Sequence, residues 1–228
     1  MRYSTYDGIG FVEPMSYTEK GDLLVVNAAR CSFDKEHLVF DEKSDTRLIN
    51  YLAREGHVLP FRHPSVTLRM NLPIFVLRQL GKHQVGFSWS EVSRRYISSE
   101  PQFWYPEEVR TRPENIKQGS VSGGWEAKPE KLSESLNLFS ESNEEGLRAY
   151  NSLLDLGVAP EQARAILPQS MYTTCVVTGT LLGWYHLYNL RTEEHTQLET
   201  REYARLIGDI MEDFFPVSWE ALISNGKG

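Results

Sequence analysis

The sequence has few cysteines, no excess of positive charge and no long apolar run. Its 228 residues include two cysteines, Cys31 and Cys175, whose spacing matches no metal-ligand or redox motif. This argues against a disulfide scaffold and a zinc site, and it fits a reducing compartment. The formal net charge of −7 argues against bulk nucleic-acid binding, because proteins of that class are normally basic.

Membrane and secretion signals are also missing. The longest stretch without a charged residue, residues 165–190, contains Pro168, Gln169, His186 and Asn189. It is too polar for a membrane span and predicts a buried core element instead. Residues 1–10 contain no apolar run that would indicate a signal peptide. We therefore expect a cytoplasmic protein without a membrane or nucleic-acid partner.

The common short motifs of nucleotide, metal and hydrolase sites do not occur. The chain has no G-x-G-x-x-G, G-x-x-x-x-G-K-S/T, H-E-x-x-H, C-x-x-C or G-x-S-x-G. No metal site is predicted, and any nucleotide must be bound by a less common fold.

The hydrophobic patterns predict one α+β domain over residues 1–228, with a mixed or antiparallel sheet flanked by helices. Ser44-Asp45 and Gly56 delimit an amphipathic helix. Residues 110–129 are rich in Gly, Ser, Pro, Glu and Lys and predict a polar surface excursion. We predict strands at Val66–Leu72, Arg94–Ser98 and Met171–Val177, and further helices at Ile74–Leu80, Lys131–Leu156, Pro160–Ile166, Leu181–Leu190 and Glu194–Phe214.

Positive charge is concentrated in residues 78–96, which contain Arg78, Lys82, Arg94 and Arg95 but only one acid, Glu91. The same segment contains serines, glycines and three aromatic residues. Guanidinium groups bind phosphate and aromatic faces stack on bases, so this composition suits a phosphorylated ligand with a ring. The alternative is a solvated charged loop beside a core aromatic patch, and the pattern alone does not separate the two.

This cluster resembles the signature of the flavin-dependent thymidylate synthases of the ThyX type. The family signature is Arg-His-Arg, seven residues and then Ser, commonly followed by Arg-Tyr. Here Lys82-His83-Gln84 is followed by eight residues, Ser93 and Arg95-Tyr96. Two arginines of the signature are therefore replaced, and one residue is added between Gln84 and Ser93.

Five further segments resemble the same family in the same order. They are VNAARCSF (26–33), GHVLPFRH (56–63), PIFVLRQ (73–79), ARAILP (163–168) and NLRTEEHTQLE (189–199). Each match alone has a simpler explanation: Arg164 could form a surface ion pair, Arg191 and His195 could pair locally, and His57 could support a turn. The joint occurrence, over roughly residues 22–223 apart from the excursion, favours membership of the family.

The resemblance implies reductive methylation of dUMP to dTMP. Methylenetetrahydrofolate would donate the carbon, NADPH the electrons, and FAD would relay them, without a cysteine nucleophile. A homotetramer with active sites shared between subunits is also implied. Two other functions remain open, namely flavin-dependent C5 alkylation of another pyrimidine nucleotide such as UMP, and a non-catalytic nucleotide-binding role.

The matched positions imply a role for each candidate residue. Arg191 is the implied catalytic residue and also binds the substrate, because its guanidinium would stabilise negative charge on the pyrimidine. The other implied substrate-binding residues are Gln79, Glu91, Ser93, Arg94, Arg95 and Arg164. The implied FAD-binding residues are Ser32, His57, Lys82, His83, Gln84, Val85, His186 and His195.

Overall fold

The computed structural model describes residues 1–97, 99–112, 119–126 and 128–226. Its strands are β1 (Tyr3–Ser4), β2 (Phe11–Tyr17), β3 (Ser65–Pro73), β4 (Phe87–Glu91) and β5 (Tyr172–Thr180). Its α-helices are α1 (Gly21–Arg30), α2 (Ser44–Glu55), α3 (Ile74–Leu80), α4 (Pro129–Asp155), α5 (Pro160–Ala163), α6 (Leu181–Arg191), α7 (Leu198–Phe214) and α8 (Pro216–Asn225). Short 3₁₀ turns lie at Cys31–Phe33, Leu59–Arg62 and Arg164–Ile166.

The five strands form one antiparallel sheet in the order β1-β2-β3-β5-β4. In the central pair, Leu68 lies opposite Val177 and Met70 opposite Cys175, and all four side chains are buried. The alternate residues form a polar face, on which the hydroxyls of Thr67 and Thr178 are hydrogen-bonded at 2.9 Å. This alternation gives the sheet one face for the core and one partly open face.

The helices cover the apolar face of the sheet. Trp184 of α6 and Tyr203 of α7 are fully or almost fully buried, and so are Phe61 and Phe215 beside them. Full burial of one large apolar side chain contributes roughly 1.5–3 kcal/mol to folding, so this layer supplies much of the stability. The predicted α+β class, with an antiparallel sheet flanked by helices, is confirmed.

One predicted strand, Arg94–Ser98, is wrong. Residues 94–96 form a turn in which the Tyr96 N–H bonds the Ser93 carbonyl at 3.0 Å, and Ser98 lies outside the described residues. The strand of this region is β4, seven residues earlier. The Phe87 ring of β4 packs edge-on against Trp184, with the ring centroids 4.7 Å apart. The two rings form an aromatic layer at this edge of the core.

The predicted helix Glu194–Phe214 starts later than expected, at Leu198. A turn closed by the Thr196 N–H and the Glu193 carbonyl at 3.0 Å precedes it. In the excursion, Thr111 and Val121 pair in an antiparallel bridge, and residues 113–118 and 127 lie outside the described ranges. The excursion thus folds back on itself and ends where α4 begins.

Over the described residues, no helix combines the length and the apolar character that a bilayer crossing requires. In the same ranges, no three His, Cys, Asp or Glu side chains are grouped so that they could hold a metal ion.

Candidate active site

The connection between α3 and β4 carries the variant signature on a hydrogen-bonded loop. The N–H of His83 bonds the end of α3, and the Trp89 indole donates to the His83 carbonyl at 3.0 Å. His83 is half-buried as a result, whereas Lys82, Gln84 and Val85 are exposed. The loop therefore turns the imidazole of His83 inward. The side chains of Lys82, Gln84 and Val85 remain accessible to a ligand or partner.

Gly86 ends this loop in a conformation that other residues rarely adopt. Its φ is +81°, and a Cβ at this position would lie 2.8 Å from the hydroxyl of Thr180. The signature loop, which has one residue more than the family pattern, is thus joined to β4 by a glycine in the left-handed backbone conformation.

Arg191 is held at the end of α6 by two hydrogen bonds. Its Nε donates to Nε2 of His83 at 3.1 Å, and one terminal nitrogen donates to the Gln79 carbonyl at 3.1 Å. Burial, together with the charges of Arg191 and His186, lowers the pKa of His83. The ring is therefore neutral at pH 7, and its Nε2 accepts the bond from Arg191. The other terminal nitrogen of Arg191 has no partner among the described residues.

Arg191 lines a cleft of about 600 Å³, which we call the Arg191 cleft. Two other residues predicted from the sequence, Gln79 and His195, line the same cleft. Arg110, Ser120 and Gln197 line it as well. A fixed cation beside amide and imidazole groups can bind a polar ring and stabilise negative charge that develops on it.

A second cleft, of about 440 Å³, contains Glu91, Arg94 and Arg164, and we call it the Arg164 cleft. Arg164 donates to Ser93 Oγ at 3.2 Å, and Nε of Arg95 lies 3.4 Å from the same oxygen. Glu91 accepts a bond from Thr173 at 3.0 Å. Burial lowers the pKa of the Arg94 guanidinium. Two arginines and a hydroxyl thus converge as a phosphate site requires.

Arg110 of the Arg191 cleft is paired with Glu199, but five other cations in or near the two clefts are unpaired among the described residues. In the part of the chain that the structure describes, no carboxylate lies within 4.0 Å of Lys82, Arg94, Arg95, Arg164 or Arg191. A chain with an excess of acids could have paired these groups internally. Because it does not, they remain available to an anionic ligand.

The remaining predicted residues lie on other elements. Ser32 is exposed on the 3₁₀ turn after α1, and His57 is exposed directly after Gly56, the residue that ends α2. His186 is exposed on α6, close enough for its charge to influence His83. Neither Ser32 nor His57 lines either of the two clefts, so one chain does not bring all candidates together.

Sequence reasoning missed a buried ion pair beside the Arg191 cleft. Arg110 donates to Glu199 Oε1 at 2.6 Å, and Gln197 donates to Glu199 Oε2 at 2.9 Å. Gln197 and Glu199 belong to the NLRTEEHTQLE segment, which was the available signal. Arg110 gave no such signal, because its partner lies 89 positions away.

Comparison with known proteins identifies the family of the chain. The family model described as "Thymidylate synthase complementing protein" matches residues 15–217. The flavin-dependent thymidylate synthase of Kosmotoga olearia is 38% identical over 203 residues, which cover 89% of this chain and 86% of the relative. That of Thermotoga neapolitana is 36% identical over 214 residues, covering 94% and 91%.

A solved structure also has a similar fold. The UMP/dUMP methylase PolB from Streptomyces cacaoi, in a crystal structure with 5-Br dUMP, superposes with a TM-score of 0.82 at 29% identity. That superposition covers 98% of this chain and 97% of PolB. The crystal structure with 5-Br UMP gives a TM-score of 0.80 at 30% identity, covering 95% of each chain. The chain described here belongs to the family of flavin-dependent thymidylate synthases.

Proposed function

We propose that this enzyme methylates C5 of dUMP to give dTMP, with methylenetetrahydrofolate as carbon donor and NADPH as reductant through FAD. The observation that carries the proposal is Arg191, a guanidinium fixed by His83 and Gln79 with one terminal nitrogen left for a ligand. Substitution at C5 places negative charge on the O4 side of the pyrimidine. A preorganised donor of this kind is typically worth about 3–4 kcal/mol to the transition state.

The Arg164 cleft supplies the second half of the proposed site. A nucleotide 5′-phosphate would accept hydrogen bonds from Arg164 and Arg95, with Ser93 between them. Arg94 lines the same cleft, and Glu91 would order the sugar and neighbouring donors. These assignments place the phosphate and the sugar of the nucleotide at the Arg164 cleft.

The donor set of the flavin-side residues fits FAD. Exposed Lys82 and Ser32 offer a cation and a hydroxyl suited to a pyrophosphate, and the loop amide of Gln84 and the imidazole of His57 are also exposed. Val85 offers an apolar group for a ring, because 84% of it is exposed. When bound, FAD supplies the hydride transfer that the side chains cannot perform. His83, His186 and His195 would orient it from the α6 side.

The cysteines support chemistry without a thiol nucleophile. Burial, assisted by the charge of Glu91, raises the pKa of Cys175 to about 12. Such a thiol is inert as a nucleophile at neutral pH, because the thiolate is the reactive form. Cys31 is exposed on the 3₁₀ turn beside Ser32 and lines neither cleft.

A homotetramer with shared sites would unite the two clefts, which have no lining residue in common. In that assembly Arg164 of one subunit would bind the phosphate, while Arg191 of a neighbour would act on the base. The exposed residues Ser32, His57 and Val85 would then be covered by other subunits or by the flavin.

The proposed function is tested by tritium release from dUMP labelled at C5, because substitution at C5 expels that hydrogen. We expect release only when FAD, NADPH and methylenetetrahydrofolate are all present, with each omitted in turn as a control. The absence of release from the folded, FAD-supplemented protein would contradict the proposal. UMP labelled at C5 is assayed in parallel, because the structurally similar PolB is a UMP/dUMP methylase; preference for UMP would favour that second candidate.

Replacing Arg164 with alanine is expected to raise the KM for the nucleotide about 10- to 100-fold, because one charge-assisted bond to phosphate is lost. Turnover at saturating nucleotide should change little. Steady-state kinetics measure both values, and Arg148→Ala, which removes an exposed arginine of α4, is the matched control.

Mixing experiments extend this prediction to the shared site. If sites are shared, tetramers that mix Arg164→Ala and Arg191→Lys subunits regain activity, because some sites then contain neither substitution. Unchanged KM in the Arg164 variant would contradict the phosphate assignment, and mixed tetramers without recovery would contradict sharing.

A further inference from the structure

Four side chains form a continuous relay of hydrogen bonds from the excursion into the Arg191 cleft, and we call it the Arg110 relay. Arg110 donates to Glu199 Oε1 at 2.6 Å, and Glu199 Oε2 accepts from Gln197 Nε2 at 2.9 Å. Gln197 Oε1 in turn accepts from Gln79 Nε2 at 2.5 Å. Each bond joins two side chains, so the state of the first member constrains the last.

The donor and the acceptor of each hydrogen bond in the relay are fixed by the first pair. The carboxylate of Glu199, paired with Arg110, offers only acceptor oxygens, so Gln197 must turn its NH₂ group toward it. The carbonyl oxygen of Gln197 then faces Gln79, which must present its own NH₂ group in return. This leaves Oε1 of Gln79 without a partner among the described residues, on the wall of the Arg191 cleft.

The start of the relay is buried and anchored. The side chain of Glu199 is 6% exposed and that of Arg110 is 16% exposed. Nε of Arg110 also donates to Ser120 Oγ at 2.7 Å, and the Trp125 indole donates to the Val109 carbonyl at 2.5 Å. The excursion thus holds Arg110 in place, and a buried charge pair of this kind is costly to rearrange.

We propose that the Arg110 relay is a specificity device that fixes Oε1 of Gln79 as a hydrogen-bond acceptor toward the nucleotide. The site then selects a nucleotide that presents an N–H or O–H group at this point, such as pyrimidine N3–H or a sugar hydroxyl. Sites that hydrogen-bond a substrate group discriminate strongly against analogues that lack it. Arg110, Gln197 and Glu199 are positioning residues in this proposal, which rests on the proposed nucleotide function.

The test measures nucleotide binding by calorimetry with the FAD-loaded enzyme. The ligands are dUMP, its N3-methyl analogue and its 3′-deoxy analogue, which remove one donor each. Wild type should bind one of the two analogues about tenfold more weakly than dUMP. Glu199→Gln keeps the size of the side chain but allows either amide orientation along the relay. We expect it to bind dUMP several-fold to tenfold more weakly and to lose discrimination against the same analogue.

A double-substitution cycle separates positioning from general damage. Gln79→Met removes the acceptor, so the effect of Glu199→Gln on dUMP affinity should vanish in that background. Glu194→Gln, which changes an exposed carboxylate nearby, is the matched control and should bind as wild type does. Equal wild-type affinity for dUMP and both analogues, or additive effects of the two substitutions, would overturn the relay. Failure of wild type to bind dUMP or UMP would instead overturn the proposed function.

Discussion

Replacing Arg191 with lysine should lower turnover about 100- to 1000-fold, while nucleotide and flavin still bind. The guanidinium donates Nε to His83 and one terminal nitrogen to the Gln79 carbonyl, and no described residue bonds the other terminal nitrogen, which would bind the ligand. Lysine keeps the charge, but a single ammonium on a flexible chain cannot reproduce that planar, three-way arrangement. The loss should therefore appear in kcat rather than in KM.

Single-turnover kinetics with FAD-loaded enzyme measure this effect, because they separate the chemical step from product release. Arg205→Lys makes the same chemical change at an exposed position of α7 and serves as control. A turnover within threefold of wild type would remove Arg191 from its catalytic role, and an equal loss in the Arg205 variant would indicate an indirect effect.

The second large effect concerns Asp45, a fully buried carboxylate of α2. Its carboxylate forms an ion pair with Arg30 at 2.7 Å, lies 3.2 Å from Nδ1 of His37 and accepts a hydrogen bond from the Asp41 N–H at 2.9 Å. These bonds tie residues 31–43, which include Ser32, to α1 and α2. Asp45→Asn should lower the free energy of unfolding by about 3 kcal/mol, because it leaves Arg30 without its buried counter-charge.

A loss of that size corresponds to a fall in Tm of roughly 6–12 °C for a chain of this length. Denaturant unfolding and thermal melts measure it, and Asp34→Asn, at an exposed position in the same segment, is the control. The left-handed backbone at Asp34 also accepts asparagine readily. An unchanged Tm for Asp45→Asn would show that the buried pair does not stabilise the fold.

The pH dependence of this effect has a definite sign. Burial of Asp45 favours its protonated form, but the hydrogen bond from the Asp41 N–H and the Arg30 guanidinium outweigh burial and lower the pKa of Asp45 below 3.8. The stabilisation is therefore present above pH 3.8 and is lost as the pH falls through the folded-state pKa. The difference between wild type and Asp45→Asn should accordingly shrink at acidic pH.

The sequence predicted best the elements whose ends depend on a single residue. Gly56 ends α2 with φ of +74°, and Pro73 precedes α3 in an extended conformation. Alternation alone was enough for β3, because one face of that strand is buried. Such signals act over a few residues and do not depend on contacts with distant parts of the chain.

Elements that depend on distant partners were not predicted. β2 contains Pro14, which weakens a strand pattern, and the pairing with β3 shifts register between Pro14 and Ser16. β4 has the alternating sequence FSWSE, but the pattern alone did not decide whether its aromatic residues face a ligand or the core. In both cases pairing with another strand, invisible in the local sequence, decided the outcome.

The residues of the candidate site also fall into those that local sequence predicted and those that it did not. The signature, the PIFVLRQ segment and the NLRTEEHTQLE segment identified His83, Gln79 and Arg191, and the structure places these three in contact. No local pattern indicated that Arg164 and Arg191 line different clefts, because that depends on how the helices and the sheet pack. Arg110 was overlooked for the same reason, since its function depends on Glu199 in another part of the chain.

The central pairing of the sheet also determines when the protein can fold. β3 at residues 65–73 bonds β5 at residues 172–180, so the middle of the sheet joins the first third of the chain to its last third. Contacts of such long sequence separation slow folding, because a large loop must close before they form. During synthesis, β3 must therefore wait without its central partner until most of the chain has emerged from the ribosome, with its apolar face exposed meanwhile to chaperones and to neighbouring chains.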